Sequence, residues 1–188
     1  NQMKGAYILM ESLLKENVDT IFGYPGGSIM PTFDALYDYM DKFNYVLTRH
    51  EQGATHAAQG YARVSGKTGV CLVTSGPGAT NAITGIADAM MDSTPLVVIA
   101  GQAGAAFLGT DAFQEVDLIG CTLPITKWSY QIRSAADIAP AVAKAFQTLL
   151  LLTPVDVRMI SAFCTIEYSI ALSSPPNIYL LPYLSLIM

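Results

Sequence analysis

Basic residues are scarce in this sequence, and no part of it forms a basic patch. Its 188 residues include 10 Lys and Arg, which are scattered, and the formal net charge is -5. Proteins that bind nucleic acid or an anionic membrane surface usually carry clustered Lys and Arg. The composition therefore excludes these partners and favours small molecules or other proteins.

Cysteine and histidine are also rare. Three cysteines, Cys71, Cys121 and Cys164, lie far apart without a C-x-x-C pair, which argues against a disulfide framework and against a structural zinc site. His50 and His56 are too few for a metal site without a carboxylate cluster, so we predict structural or supporting roles for both and no metal ligands. A reducing compartment fits best, with the cytoplasm favoured over a eukaryotic organelle.

The sequence also shows no clear secretory signal and no clear membrane-spanning segment. The segment "NQMKGAYILMESLLKEN" places charged residues at helical intervals, so we expect no secretory signal. Residues 159–188 are apolar with one charge, Glu167, and Pro175 and Pro176 interrupt them. A membrane span is one interpretation, but neither apolar piece reaches the roughly 20 residues that a span needs.

The length favours one compact domain, because 188 residues are too few for two ordinary domains and a linker. Apolar residues at helical spacing predict a helix over residues 3–17. Strands are then predicted in "VDTIFG", "NYVLT", "GVCLVT" and "PLVVIAG", and helices in "IMPTFDALYDYMDK", "GATHAAQGYARVSG" and after "SGPGATN". This alternation predicts a doubly wound α/β domain, a parallel sheet with helices on both faces.

Four polar or glycine-rich segments follow the predicted strands: "GYPGGS", "TRHEQG", "TSGPGATN" and "GQAGAAFLGTDAFQE". Because ligands bind at the carboxyl ends of such strands, we expect these segments to meet at one edge. Gly26 and Gly27 permit positive φ and close approach of a ligand, although a tight turn without a ligand explains them equally well. "SGPGATN" is also typical of an anion-binding helix start but lacks the lysine of a P-loop.

In this order and spacing, "FGYPGGSIMP", "TRHEQGATHAAQGYARVSGKTGVCLVTSGPGATNAITGIADAMMDSTPLVVIAGQ" and "GTDAFQEVD" closely resemble one family. It is the N-terminal pyrimidine-binding domain of acetohydroxyacid synthase (acetolactate synthase), a thiamin-diphosphate enzyme. The resemblance covers about residues 3–150. "GTDAFQEVD" points to the synthase itself, whereas the other blocks occur across the wider pyruvate-oxidase-like group. The resemblance implies a thiamin-diphosphate-binding fold over residues 1–160, followed by an atypical apolar tail at 161–188.

The resemblance implies a catalytic role for Glu51, the acidic residue of "TRHEQG". Thiamin diphosphate reacts through a thiazolium carbanion, and its own pyrimidine amino group is the base. The family's activating glutamate hydrogen-bonds the opposite ring nitrogen and favours the imino tautomer, and Glu51 matches that residue. The alternative is a solvated glutamate at a helix start. The small residues that follow would let the helix pack near the cofactor and a partner subunit: Gly53, Ala54, Ala57 and Ala58.

Further site residues follow from the same resemblance. Catalytic roles are implied for Gly27 and Gln114 besides Glu51. Cofactor contacts are implied for Tyr24, Pro25, Gly26, Pro77 and Asn81, of which Pro77 and Asn81 would line the pyrimidine ring. Ser28, Phe113 and Gln114 would border the substrate pocket, and Ser28 stands where the family often has Ala.

Other parts of the family's site are not found in this sequence. The Gly-Asp-Gly motif that holds diphosphate and Mg²⁺ is not found, and neither is the domain that binds FAD. Since the family's active site lies between two subunits, we expect this chain to supply half a site in a homodimer or tetramer and to be inactive alone. A regulatory subunit is a possible further partner.

The implied parent reaction condenses two pyruvates, or pyruvate and 2-oxobutyrate, with loss of CO2 in branched-chain amino-acid biosynthesis. The alternatives are a domain of another thiamin-diphosphate decarboxylase or oxidase, and a non-catalytic dimerising module of the same fold. After "TPVDVR" the sequence departs from the family pattern. A shifted reading frame or a non-native C-terminal sequence would explain that departure.

Overall fold

The computed structural model describes residues 3–150 and, further along the chain, the backbone of residues 161–163, 165–166 and 183–187. The helices are α1 (Gly5–Lys15), α2 (Met30–Tyr37), α3 (Glu51–Ser65), α4 (Pro77–Asn81), α5 (Ile83–Met91), α6 (Leu118–Thr122) and α7 (Ile138–Leu150). The strands are β1 (Thr20–Gly23), β2 (Asn44–Leu47), β3 (Gly69–Val73), β4 (Leu96–Gln102), β5 (Ser129–Ile132), β6 (Ser161–Phe163), β7 (Thr165–Ile166) and β8 (Tyr183–Ile187). No helix in the described ranges is long and apolar enough to cross a membrane.

The sheet is built on four parallel strands in the order β2-β1-β3-β4. It continues through β8, β5 and β7, and β6 also pairs with β4. Strand β8 runs antiparallel to both β4 and β5, whereas the other described pairs are parallel. Mixed sheets of this kind are common. Most of the predicted apolar tail lies outside the described residues, so the domain boundary at residue 160 stays a prediction.

Helices cover both faces of the sheet, which confirms the doubly wound α/β prediction. Successive side chains of a strand point to opposite faces. Val70 and Leu72 of β3 accordingly belong to the core formed with α1, α2 and α7. Cys71 and Val73 belong to the core formed with α3 to α6. All four side chains are fully buried, so the strand is apolar without a break, as a covered parallel strand should be.

The elements predicted up to residue 102 are confirmed in type, but several helix boundaries differ. Helix α2, for example, ends at Tyr37 and not at Lys42. Helix α3 begins at Glu51 rather than Gly53, because Nδ1 of His50 accepts a hydrogen bond from the Gln52 amide at 3.1 Å and caps the helix. The helix expected after "SGPGATN" starts earlier, at Pro77, and is divided into α4 and α5 at Ala82. Glu51 is therefore the first residue of a helix, not part of the preceding loop.

Candidate functional site

The loops that follow β1 to β4 meet at the carboxyl edge of the sheet, as predicted. The Ser28 hydroxyl lies 3.0 Å from that of Thr74 and accepts a hydrogen bond from the Ser75 amide at 3.0 Å. The Thr48 amide donates to the Gly23 carbonyl at 3.0 Å and so ties the loop after β2 to the end of β1. Three loops are thus cross-linked where the predicted site residues lie.

Glu51 places a buried carboxylate at this edge. The residue is only 6% exposed, and the Nδ2 amide of Asn81 donates to its Oε2 at 3.0 Å. The amino end of α3 favours a negative charge at this position. Oε1 lies on the side of Gly78, where a Cβ atom would come within 3.1 Å of it. Among the described hydrogen bonds, the one from Asn81 is the only bond to this carboxylate, so Oε1 can accept a hydrogen bond from a ligand.

Thr74 sets the spacing of two glycines beside the carboxylate. A Cβ at Gly26 would lie 2.5 Å from the Thr74 side chain, and one at Gly78 would lie 2.6 Å from its Cγ2. The backbone of Gly26 is extended at φ -166, and neither Gly26 nor Gly27 has positive φ. The pair therefore does not use the positive φ that glycine permits, and Gly26 is needed because it lies so close to the Thr74 side chain. A Cβ at Gly27 would meet no atom within 4 Å.

A cavity of about 630 Å³ opens beside these loops. Four of the predicted catalytic or substrate residues line it, namely Gly27, Ser28, Phe113 and Gln114. The rest of its wall is formed by Met30, Pro31, Asp34, Ser75, Gln102, Ala103, Gly104, Phe107 and Ala112. Glu51 and Asn81 are not part of this lining. The segment from Thr74 to Gly78 joins the two parts, since Ser75 lines the cavity and Gly78 lies beside Oε1 of Glu51.

The remaining predicted contacts lie at the surface of the same edge. Tyr24, Pro25 and Pro77 are exposed and do not line the cavity, so their contacts with a cofactor stay predictions. His56 places Nδ1 3.3 Å from a carboxylate oxygen of Asp88 and joins α3 to α5. Over the residues that the structure describes, no group of His, Cys, Asp and Glu could hold a metal ion.

Two residues of the site were missed from the sequence, Thr74 and Gln102. Gln102 is 5% exposed, and its side chain donates to the Val116 carbonyl at 3.2 Å and accepts from the Ala103 amide at 2.8 Å. Each is the first polar residue at the carboxyl end of an apolar strand, in "GVCLVT" and "LVVIAGQ". That position was the available signal, because such strand ends face the ligand edge.

The donors and acceptors present suit the pyrimidine half of thiamin diphosphate. A ring nitrogen that carries a proton needs a buried acceptor, and Oε1 of Glu51 is one. Gly78 removes the Cβ atom that would crowd this oxygen. Glu51 and Gly78 therefore fit the pyrimidine half of thiamin diphosphate.

Comparison with known proteins agrees with this fit. Residues 3–121 match the family described as "Thiamine pyrophosphate enzyme, N-terminal TPP binding domain". The chain belongs to this family. The match confirms the predicted fold class and the thiamin-diphosphate half of the resemblance.

Several acetolactate synthase large subunits are similar in sequence to this chain. The large subunit from Lactococcus lactis subsp. lactis (strain IL1403) is 54% identical over 142 residues, which are 76% of this chain and 24% of that protein. The isozyme 2 large subunit from Escherichia coli (strain K12) is 49% identical over 178 residues, with 88% of this chain and 32% of that protein covered. The large subunit from Cyanidium caldarium is 55% identical over 144 residues. The chain thus spans about a quarter to a third of the length of these relatives.

Proposed function

We propose that this chain provides the pyrimidine-binding half of the active site of an acetolactate synthase large subunit. The observation that carries the proposal is the buried Glu51 carboxylate, held by Asn81 at Oε2 and open at Oε1 beside Gly78. The similarity to acetolactate synthase large subunits from Lactococcus lactis, Escherichia coli and Cyanidium caldarium supports the choice of reaction.

The work of Glu51 is to hold a proton on its ligand. Thiamin diphosphate, when bound, supplies the thiazolium carbon that attacks a 2-oxo acid. Oε1 of Glu51 would accept a hydrogen bond from a pyrimidine ring nitrogen, and Asn81 keeps the carboxylate from rotating away. Burial strengthens this bond, because a charged acceptor interacts more strongly in a low-dielectric site than in water.

The cavity beside Gly27 would receive the 2-oxo acid. Its wall is largely apolar and includes Met30, Phe107 and Phe113 as well as Gln114. Such a wall suits the methyl group of pyruvate or the ethyl group of 2-oxobutyrate, and the Gln114 amide offers a polar contact to an oxygen. The proposed reaction therefore joins pyruvate to a second 2-oxo acid with loss of CO2.

The complete enzyme would contain more than this chain. We place Mg²⁺, the diphosphate group and FAD on parts of the enzyme other than residues 1–188. A homodimer or tetramer would bring those parts to Glu51 from another subunit, and a regulatory subunit is a further proposed partner. We also propose a cytoplasmic location, because the three widely separated cysteines show no disulfide pattern and fit a reducing compartment.

A chimeric enzyme tests the proposal. The 142 matched residues of the Lactococcus lactis large subunit are replaced by those of this chain, and acetolactate formation from pyruvate is measured. We expect acetolactate to form in a thiamin-diphosphate-dependent way. A folded chimera that binds the cofactor but only decarboxylates or oxidises pyruvate would assign a different reaction. A folded chimera whose stability does not respond to the cofactor would indicate a non-catalytic module.

A further inference from the structure

One loop forms the wall between two cavities. We name residues 103–117, between β4 and α6, the cavity loop. Phe113 and Gln114 face the proposed substrate cavity, whereas Glu115 and Asp117 line a second cavity of about 450 Å³ on the other side. The position of this loop therefore decides the shape of the substrate cavity.

The carboxylate of Glu115 closes the cavity loop on itself. It accepts hydrogen bonds from three backbone amides, those of Gly109, Thr110 and Ala112, the last two at 3.2 Å each. A concave set of amides of this kind is a binding site for a negative charge. The Gly109 amide contributes most to holding the pKa of Glu115 below its usual range. Glu115 is accordingly ionised at neutral pH.

The backbone that these bonds hold is unusual. Gly109, Asp111 and Gln114 all have positive φ, at 78, 53 and 58 degrees. Residues other than glycine persist in this region when surrounding contacts hold them there. The Gln114 carbonyl provides one such contact, because it packs so closely on Gly76 that a Cβ there would lie 2.5 Å from it. Gln114 is thus held by Gly76 on one side and by the amide-bound neighbour Glu115 on the other.

We propose that Glu115 is a positioning residue whose carboxylate fixes the cavity loop, so that Phe113 and Gln114 keep their places on the substrate cavity wall. Glu115 lines the opposite cavity and does not itself contact the substrate cavity. The role in substrate binding rests on the proposed function, whereas the role in fixing the loop does not.

The other charged residues near Glu115 do not take over its hydrogen bonds to the loop amides. Asp111, Asp117 and Arg133 line the second cavity together with Glu115. Asp117 accepts a hydrogen bond from the Gly120 amide at 2.9 Å and caps α6. Glu115 is the carboxylate in this group that binds the loop amides.

Nuclear magnetic resonance of the 188-residue chain tests the loop without any enzyme assay. The amide protons of Gly109, Thr110 and Ala112 should titrate together, with a midpoint below the usual glutamate value of 4.5. Glu115→Gln should abolish this titration and shift the Gln114 amide at neutral pH. Asp111→Asn should retain the titration. If the titration persists in Glu115→Gln, or the Gln114 resonance stays in place, the proposal is wrong.

The chimeric enzyme tests the consequence for substrate. Because a displacement of about 1 Å can cost about a hundredfold, we expect Glu115→Gln to lower kcat/KM for pyruvate by about ten- to a hundredfold. The dissociation constant of thiamin diphosphate should not change. Glu115→Asp keeps the charge but shortens the side chain, so its kcat/KM should lie between those of the unmutated chimera and Glu115→Gln. Unchanged kcat/KM, or a loss confined to cofactor affinity, would contradict the proposal. An unmutated chimera without acetolactate synthesis would refute the proposed function, while the titration would still decide the role in the loop.

Discussion

Asn81 donates its side-chain amide to Oε2 of Glu51 at 3.0 Å, across 30 positions of sequence. This bond joins the first residue of α3 to the last residue of α4. Glu51 is buried, while Asn81 is partly exposed. The pair therefore fixes which carboxylate oxygen stays available, and it makes the space around Oε1 depend on Gly78.

The first prediction concerns Gly78. A Cβ added there would lie 2.6 Å from Cγ2 of Thr74 and 3.1 Å from Oε1 of Glu51. We expect Gly78→Ala to lower the free energy of unfolding by about 1 to 3 kcal/mol, the usual cost of overpacking. Urea denaturation of the 188-residue chain measures this change.

A second substitution separates packing from cofactor binding. Thr74→Ser removes the crowding Cγ2 methyl, so the pair Gly78→Ala with Thr74→Ser should regain most of the stability. The added Cβ would still crowd Oε1, and thiamin-diphosphate binding in the chimera should stay weakened. Gly60→Ala on α3 is the control, because the added Cβ would meet no atom within 4 Å. Equal losses for Gly60→Ala and Gly78→Ala would contradict this account.

The second prediction is a pH dependence at the opposite edge of the sheet. Hydrogen bonds from Lys67 and Tyr61 lower the pKa of Asp19 from 3.8 to about 2. Because the folded-state pKa is the lower one, the stabilisation is complete above about pH 4 and is lost as the pH falls towards about 2. The Asp19 side chain is 46% exposed, so we expect no more than about 1 kcal/mol.

Asp19→Asn should remove this part of the pH dependence. Unfolding free energies measured from pH 6 down to about 2 should fall less steeply in the variant than in the unmodified chain. Asp41→Asn is the matched control, since Asp41 is an exposed aspartate. Parallel curves for Asp19→Asn and the unmodified chain would show that Asp19 does not contribute.

The third prediction is self-association through α3 and α5. These helices pack together, with the Gln59 side-chain amide donating to the Gly85 carbonyl at 2.7 Å. Val64 on α3 and Met91 on α5 are 86% and 83% exposed. Covering such side chains in a dimer would stabilise it by about 1.5 to 3 kcal/mol each. Sedimentation should therefore show a dimer at high protein concentration.

Charged substitutions identify the surface used. Met91→Asp should raise the dimer dissociation constant by about tenfold or more, since about 1.4 kcal/mol corresponds to that factor. Met40→Asp is the control, because Met40 is 50% exposed and lies after α2, outside this surface. Sedimentation of a monomer alone at high concentration would contradict the prediction, as would equal effects of the two substitutions.

Much of the fold could be predicted because strands and helices leave a local pattern of apolar and polar residues in the sequence. Apolar runs such as "GVCLVT" indicate covered strands, and the carboxyl-end rule brings Ser28, Thr74 and Gln102 to one edge. The tail has no steady period, so neither the antiparallel β8 nor its pairing with β4 could be predicted. Strand β5 and helix α7 were also missed, although both lie in an ordinary amphipathic sequence.

Features of the site that depend on distant partners could not be predicted from residue type. Gln114 adopts positive φ because Gly76 and the amide-bound Glu115 hold it, and glutamine has no preference for that region. Gly26 is needed because Thr74, 48 positions later, occupies the space of its Cβ. The bond between Glu51 and Asn81 likewise requires the fold to bring α3 and α4 together.

The last prediction concerns Glu51 itself and uses the chimera, because activation needs the rest of the enzyme. Glu51→Gln keeps the size and some hydrogen bonding but removes the charge that holds a proton on the ring nitrogen. Cofactor binding should weaken modestly and activation much more, since a positioned acid-base group contributes about 10² to 10⁴ in rate. Glu16→Gln, the same change at the far end of α1, should have no effect.

Deuterium exchange at the thiazolium carbon measures activation directly, apart from substrate binding and product release. With thiamin diphosphate fully bound, we expect Glu51→Gln to slow this exchange by about 10² to 10⁴ and Glu16→Gln to leave it unchanged. Exchange at the unmutated rate in Glu51→Gln, with the cofactor fully bound, would show that Glu51 is not the activating carboxylate.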